Sequence, residues 1–257
     1  MMDSVASVPA AAKALAVLQY LARQPGPVRA ATISRDVQLP RSTTYHLLDT
    51  LTRAGFVVPL PEERSYGLGL SCYELAFGYS SQAPMQRLAR VPLAALVDRT
   101  GHNAHLAVMH GRDVIYLIEE RAPGRPPLIS NVGVRLPAHL TATGRAMLAE
   151  LPDAQVRALF PDPSAFVLRN DLGPSSLSAL RKLLLEARRR GYAEEQGEVT
   201  AGFSSVAVAV SDSTGHSLAG VAVTFPAQEI EPSGHARIAE QVARAARELS
   251  RRMHGTA

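Results

Sequence analysis

The chain has 257 residues, a formal charge of +4, an apolar fraction of 46% and a charged fraction of 19%, the proportions of a folded globular protein with room for two cores and not of a disordered or fibrous one. It holds no apolar run of the length a membrane span needs and no charged start leading into an apolar core, so no membrane association is expected and the expected location is the cytoplasm. Cys72 is the only cysteine, which excludes an internal disulfide and a cysteine-built zinc site, and neither a metal nor a cofactor is expected.

Residues 1–8 are small and unpatterned and read as a frayed terminus. From Pro9 to Arg23, Ala11, Leu15, Leu18 and Leu21 recur at helical spacing until Gln24-Pro25-Gly26-Pro27 ends the segment. Thr32 is placed to cap a second helix running through Ile33, Asp36 and Val37. Gln38-Leu39-Pro40 is a turn of the size that joins the helices of a helix-turn-helix. Pro40 suits the first position of a third helix, because its ring pre-sets φ and its missing N–H has no partner to lose there, and Gly55 suits a left-handed stop. Within that helix Thr44, Leu47, Leu48 and Leu51 form one apolar stripe, while Arg41, Ser42, Thr43, Tyr45, His46 and Arg53 point elsewhere. A helix anchored on one side and lined with hydroxyl, guanidinium and imidazole groups on the other fits a major groove about 12 Å wide. Phe56-Val57-Val58 and Tyr66-Gly67-Leu68 read as two strands around the turn-rich Pro59 to Ser65, which completes a winged helix.

Net charge argues little for nucleic acid, since residues 1–80 hold seven Lys/Arg against six Asp/Glu. Affinity for a phosphate backbone depends on where cations face it. The case rests on where Arg23, Arg29, Arg35, Arg41, Arg53 and Arg64 sit; the candidate contacts are Arg29, Arg41, Arg53 and Arg64, with Thr32, Ser42, Thr43, Tyr45 and His46 supplying hydrogen bonds.

Gly69 to Tyr79 continues helically and is expected to be a linker and a dimer contact. Pro84 to Arg99 reads as a helix with Leu88, Val91, Leu96 and Val97 inward and Pro92 as a kink or second start. Past Gly101 the texture changes to strands: Asn103 to Met109 and Val114 to Glu119 form a hairpin, and Leu128 to Val132 is a third strand. Leu136 to Leu151 opens extended and becomes a helix capped by Thr141 or Thr143. Ser175 to Arg190 is amphipathic, capped by Ser175 or Ser176 and stopped by Gly191. Phe203 to Val210 and Leu218 to Phe225 are alternating strands, and a final helix covers Ser233 to Met253. The fold class is α+β, with helices packed against an antiparallel sheet. The expected division is a winged helix over 1–68, a linker helix over 69–80 and a second domain over 81–257.

Three stretches of that second domain can converge on a ligand. Leu136 to Gly144 offers backbone N–H groups at a helix start, a seat for a carboxylate, with His139 and Thr141 beside them. Gly191 to Gly202 is a loop offering Glu195, Gln196 and Glu198. The following strands offer Phe203, Ser205, Ala222 and Thr224. Glu195 repels a carboxylate unless it is protonated or turned away, which favours an effector with a hydroxyl or amine nearby. His102, His105 and His110 are spaced so that a strand does not put all three on one face, which counts against a metal site. His139 has no nucleophile in a Gly-x-Ser-x-Gly turn to serve and is expected to bond backbone and shape the pocket floor.

Four segments in order, Leu39-Pro-Arg-Ser-Thr-Thr-Tyr-His-Leu-Leu48, Ser65-Tyr-Gly-Leu-Gly69, Arg135-Leu-Pro-Ala-His-Leu-Thr-Ala-Thr-Gly-Arg-Ala146, and Gly191-Tyr192 followed by Glu198 and Gly202, make a chain that resembles the IclR family of bacterial transcriptional regulators. The resemblance implies an N-terminal winged helix-turn-helix and a C-terminal effector-binding domain of the GAF or profilin-like kind. It implies a double-stranded DNA operator and a small organic effector as partners, with homodimers formed through the N-terminal domain and linker helix and pairing into tetramers. Ligand-contacting positions of the family fall on Leu128, Leu136, Ala142, Glu195, Phe203, Ser205, Ala222 and Thr224. His46 stands where the family usually has Arg, and Gly67 where a basic residue is common, so operator sequence and salt dependence should differ from relatives. The competing function is a small-molecule enzyme with a helical dimerisation module.

Overall fold

The computed structural model describes residues 8–75, 84–212 and 214–254, and the chain divides into two units, Met1–Gln82 and Ala83–Ala257. The expected frayed terminus, except residue 8, and the second half of the expected linker helix lie outside the described residues.

In the first unit α1 (Pro9–Leu21), β1 (Val28–Arg29), α2 (Ala30–Asp36), α3 (Arg41–Arg53), β2 (Val57–Leu60) and β3 (Ser65–Leu68) follow in order, and a helix α4 begins at residue 70 and is described to residue 75. Its core gathers Val17, Leu21, Ile33, Leu48, Leu51 and Val57. Leu15, expected inward, is 58% exposed, and Val17 takes the buried position. Thr32 caps nothing: Arg29 is the N-cap of α2 and no side chain caps it. Val28 and Arg29 are extended because they pair with Tyr66 and Ser65 of β3, so the chain turns helical straight off that strand, two residues before Thr32. Gln38 adopts φ 57° in the turn, and Ser34 Oγ donates to Leu39 O at 2.7 Å across it. Pro40 is the N-cap of α3 and not its first helical residue; its carbonyl accepts both the Thr44 N–H and the Thr44 hydroxyl. Gly55, with φ 76°, makes the expected left-handed stop. The ribbon is longer than expected, so the wing tip narrows to a turn at Pro61–Glu63 closed by Arg64 at φ 50°.

The second unit runs α5 (Pro84–Thr100), β4 (Asn103–His110), β5 (Asp113–Glu120), β6 (Arg135–Pro137), α6 (Ala142–Glu150), α7 (Asp153–Leu159), α8 (Leu177–Arg190), β7 (Ala193–Gln196), β8 (Phe203–Ser211), β9 (Ser217–Pro226) and α9 (His235–His254). Its six strands form one antiparallel sheet in the order β6-β5-β4-β9-β8-β7. On one face α5 and α9 cover Leu106, Val221 and Phe225 with Leu93, Leu96, Val242 and Leu249. On the other face α6, α7 and α8 bring Met147, Leu148, Val156, Leu180 and Leu184 onto Tyr116, Ala207 and Ala222. These two apolar layers supply the main stabilisation, at roughly 25 cal/mol per Å² of apolar surface removed from water. α5 continues through Pro92 without a second start. It buries Ala89, Leu93, Leu96 and Val97, and Val91, expected inward, is 60% exposed.

Two expectations about strand and loop placement also fail here. Leu128 to Val132 is irregular chain, not a strand: Pro126 and Pro127 precede it without N–H donors, and Gly133 turns the chain at φ 84°. The third strand is Arg135–Pro137 instead, paired with Asp113, Val114 and Ile115. Gly191 to Gly202 is not all loop, because Ala193–Gln196 pairs with Ser204 to Ala207 as an edge strand. Ser176 caps α8 and Gly191 stops it, as expected. Among the described residues no helix is long and apolar enough to cross a membrane.

Candidate functional site

α3 turns Thr44, Leu48 and Leu51 into the core and leaves Arg41, Ser42, Tyr45, His46 and Arg53 exposed, with Thr43 half-buried. Thr44, Leu48 and Leu51 are spaced at four and three residues, so they stack on one side and push the donor-bearing positions to the other. Tyr45 is 56% exposed. It joins Arg29, Arg64, Pro59 and Leu60 around a depression of about 440 Å³ between α3 and the ribbon. Among the described residues Arg29, Arg41 and Arg64 have no carboxylate within ion-pair reach, which leaves three guanidinium forks free for phosphate oxygens. Arg53 pairs with Asp49 at 2.7 Å; both are exposed, and such a pair is weak enough for a phosphate to displace. Thr32 is half-buried on α2.

The second concavity is built around the start of α6. Thr141 Oγ1 accepts the Gly144 N–H at 3.0 Å, capping the helix. Gly144 is demanded by close approach, since a Cβ there would lie 2.2 Å from Ala138 O. Beneath the helix the strand register lines up Glu195 opposite Ser205 and Ser205 opposite Thr224. Ser205 Oγ donates to Glu195 Oε1 at 2.6 Å and lies 2.9 Å from Thr224 Oγ1. His105 stands opposite Ala222 on the neighbouring strand pair. These residues, with Tyr116, Leu128, Ser130, Thr141, Ala142, Thr143, Val199 and Thr200, enclose a cavity of about 20 Å³, room for one water.

Burial decides the charge of this cavity. It pushes Glu195 up to about 8, with the nearby Glu198 adding to the effect against the Ser205 hydrogen bond, so the carboxyl is mostly neutral at pH 7. Burial pushes His105 down to about 4, helped by the cation of Arg121, and raises the Tyr116 phenol. At neutral pH the cavity is therefore lined by neutral donors and acceptors beside the N–H groups of the first turn of α6, which lack intrahelical acceptors. Among the described residues His105 Nε2 is buried without a hydrogen-bond partner, whereas the Thr143 side chain is within hydrogen-bonding reach of the Tyr116 phenol. An orphan of that kind costs about 1–3 kcal/mol, which a ligand that pairs it would return.

Arg145 holds the wall in place. Its guanidinium, 3% exposed, donates from Nε to His139 O at 2.8 Å, from Nη1 to Glu194 O at 2.7 Å and from Nη2 to Glu198 Oε1 at 2.8 Å. The other oxygen of Glu198 accepts the Gln196 N–H. One buried cation thus ties α6 to β7 and to the segment after it.

Of the residues singled out in the sequence, Leu128, Thr141, Ala142, Glu195, Ser205, Ala222 and Thr224 line the cavity. Leu136, His139 and Phe203 do not. Leu136 pairs with Val114 and packs into the α6 core. His139 donates from Nε2 to Val167 O at 2.9 Å and packs edge-on against the stacked rings of Phe160 and Phe166, so it shapes the aromatic cluster and not the pocket floor. Phe203 shares a face with Ser205 but lies one strand repeat beyond it, at the edge opposite Pro226. His105, Tyr116, Ser130, Thr143, Val199 and Thr200 were missed. His105 and Tyr116 were findable: alternation along the first hairpin puts them on the face that carries Ala222. Among the described residues no cluster of three or more His, Cys, Asp or Glu could hold a metal.

Comparison with known proteins agrees across both units. Residues 10–61 match the family described as IclR helix-turn-helix domain, and residues 77–251 match the family described as Bacterial transcriptional regulator IclR C-terminal. The chain is 29% identical over 241 residues to the HTH-type transcriptional regulator XynR of Escherichia coli (strain K12), covering 93% of this chain and 94% of XynR. It is similar, with a TM-score of 0.83 and 26% identity over 95% of both chains, to a solved putative IclR transcriptional regulator from Silicibacter sp.. An IclR homolog from Microbacterium hydrocarbonoxydans, solved in complex with 4-hydroxybenzoate, shares the fold at a TM-score of 0.77 and 22% identity over 96% of this chain and 99% of its own.

Proposed function

The chain belongs to the IclR family of bacterial transcriptional regulators, and from that premise we propose that it reads a palindromic operator as a dimer or tetramer and is switched by a small organic acid bound under α6. Family membership sets aside the reading as an enzyme with a helical dimerisation module. The observation that carries the proposal is the two-sidedness of α3: its apolar stripe is buried and its donors face outward beside the wing. Arg41, Ser42, Thr43, Tyr45 and His46 lie in the first half of the helix, the part that meets base edges in helix-turn-helix proteins. Arg29, Arg53 and Arg64 serve the backbone. Leu70 and Tyr73 on α4 are 70% and 68% exposed. Large apolar side chains at such exposure support self-association through this helix.

An effector carboxylate is seated on the first turn of α6. The neutral carboxyl of Glu195 then donates to it or to an adjacent hydroxyl instead of repelling it, and His105 Nε2 gains a partner. A hydroxylated aromatic acid of the kind held by the Microbacterium hydrocarbonoxydans homolog has this chemistry. A cavity of about 20 Å³ does not admit such a molecule as it stands. The irregular segments carrying Leu128, Ser130, Val199 and Thr200 must yield, because no strand ladder restrains them. The effector changes DNA affinity only by its differential affinity for the two states of the protein. Fluorescence anisotropy with a labelled duplex from upstream of the chain's own gene, titrated with and without 4-hydroxybenzoate across a salt series, tests the proposal. Salt-dependent binding that the acid shifts supports it; binding that no organic acid of this type alters refutes the switch.

A further inference from the structure

On the sheet face covered by α5 and α9 lies a cleft of about 670 Å³, within the range of small-molecule sites. Arg99, in the last turn of α5, lies on one side of it, and Arg237, Gln241 and Arg244 line it from α9. The three arginines are exposed and among the described residues make no ion pair. The one carboxylate of the lining, Glu229, is taken by both guanidinium nitrogens of Arg125. Three like charges therefore face a single cleft without an ion-pair partner among the described residues; Glu240 stands between Arg237 and Arg244 on α9 but pairs with neither.

A solvated basic helix face has that charge but does not explain what lies beside it. His102 also lines the cleft, is 6% exposed, and its Nδ1 is buried without a partner. Gln241 Oε1, an acceptor, is buried and unpartnered as well, and of a phosphoryl ligand only a protonated P–OH satisfies it. Burial, and then the cation of Arg125, hold the His102 imidazole below its ordinary value, so it is a neutral hydrogen-bonding group at pH 7. Arg237 and Arg244 stand seven residues apart, about 10 Å along the helix, and their side chains are long enough to converge. Guanidinium forks plus a buried neutral imidazole, whose Nδ1 donates in one of its two tautomers, form a set that recognises phosphoryl oxygens, which Arg meets in bidentate fashion. We propose that this cleft is a second small-molecule site, separate from the cavity under α6, which takes a phosphate-bearing ligand.

Isothermal titration of inorganic pyrophosphate into the full chain at fixed ionic strength tests it. The expected result is saturable binding at one site per chain, weakened at least tenfold in R237A/R244A and unchanged in R189A/R251A, which removes the same charge from other exposed positions. Both pairs are exposed, so the variants fold, and circular dichroism checks this. Absence of saturable heat, equal affinity in R237A/R244A, or equal weakening in R189A/R251A overturns the site, the last because it shows a response to net charge alone.

Discussion

Replacing Arg145 by Met keeps most of the stem and removes the charge that holds the cavity wall. The guanidinium is 3% exposed and its partner Glu198 13%, so the pair is not screened by water. The substitution strands a largely buried carboxylate and leaves the carbonyls of His139 and Glu194 without these donors. Breaking one half of a buried pair costs about 3–5 kcal/mol. The two carbonyls move the expectation toward the upper end without adding in full, since the segment after β7 can relax into solvent. At a urea dependence near 2 kcal/mol per molar, the unfolding midpoint of the unit Ala83–Ala257 falls by roughly 2 M. The assay is urea unfolding followed by far-ultraviolet circular dichroism, because the chain has no Trp. R145M/E198Q should recover part of the loss, because it also removes the stranded charge. A midpoint shift below about 0.5 M, or a double variant less stable than R145M, refutes the reasoning.

Two further outcomes follow from the same cavity. Glu195 has its pKa raised from 4.5 to about 8, so the folded state keeps a proton that the unfolded chain releases. Its contribution is fully present below pH 4.5 and is lost as pH rises through about 8. E195Q, which copies the neutral form, should therefore gain stability relative to the parent from pH 5 to 8 and hold a constant difference above pH 9, read by thermal melts in a pH series; parallel curves contradict the assignment. Gly144→Ala drives a Cβ to within 2.2 Å of Ala138 O and should destabilise the same unit by at least the 1–3 kcal/mol typical of overpacking, measured by the same urea titration; a neutral effect means that α6 does not sit as described.

The winged helix was legible because its signals are local. The Thr44–Leu48–Leu51 stripe and Gly55 each state their role within a few residues, Pro40 marks the start of α3 one residue early, and α8 is marked locally by Ser176 and Gly191. Thr32 misled because its neighbours Val28 and Arg29 are held extended by β3, nearly forty residues away, a constraint with no local trace. Leu128 to Val132 has the apolar content of a strand, but its leucine is spent on the cavity. Glu195 was picked out as functional while its setting was misread: Ala-Glu-Glu-Gln has little strand propensity, and only pairing with β8 makes it an edge strand that buries one carboxylate beside Ser205. The cavity's remaining lining comes from register between strands distant in sequence, which periodicity does not encode.

The exposed face of α3 is the claim on which the rest stands, and R41A/S42A addresses it directly. Both side chains are exposed and carry no fold-holding contact among the described residues, so melting temperature should not change. Anisotropy titrations of an operator duplex between 50 and 200 mM salt, on the scale where phosphate contacts register, should show affinity reduced at least tenfold and a salt slope shallower by about one phosphate contact. Unchanged affinity and slope in a folded double variant would remove this helix from the DNA interface.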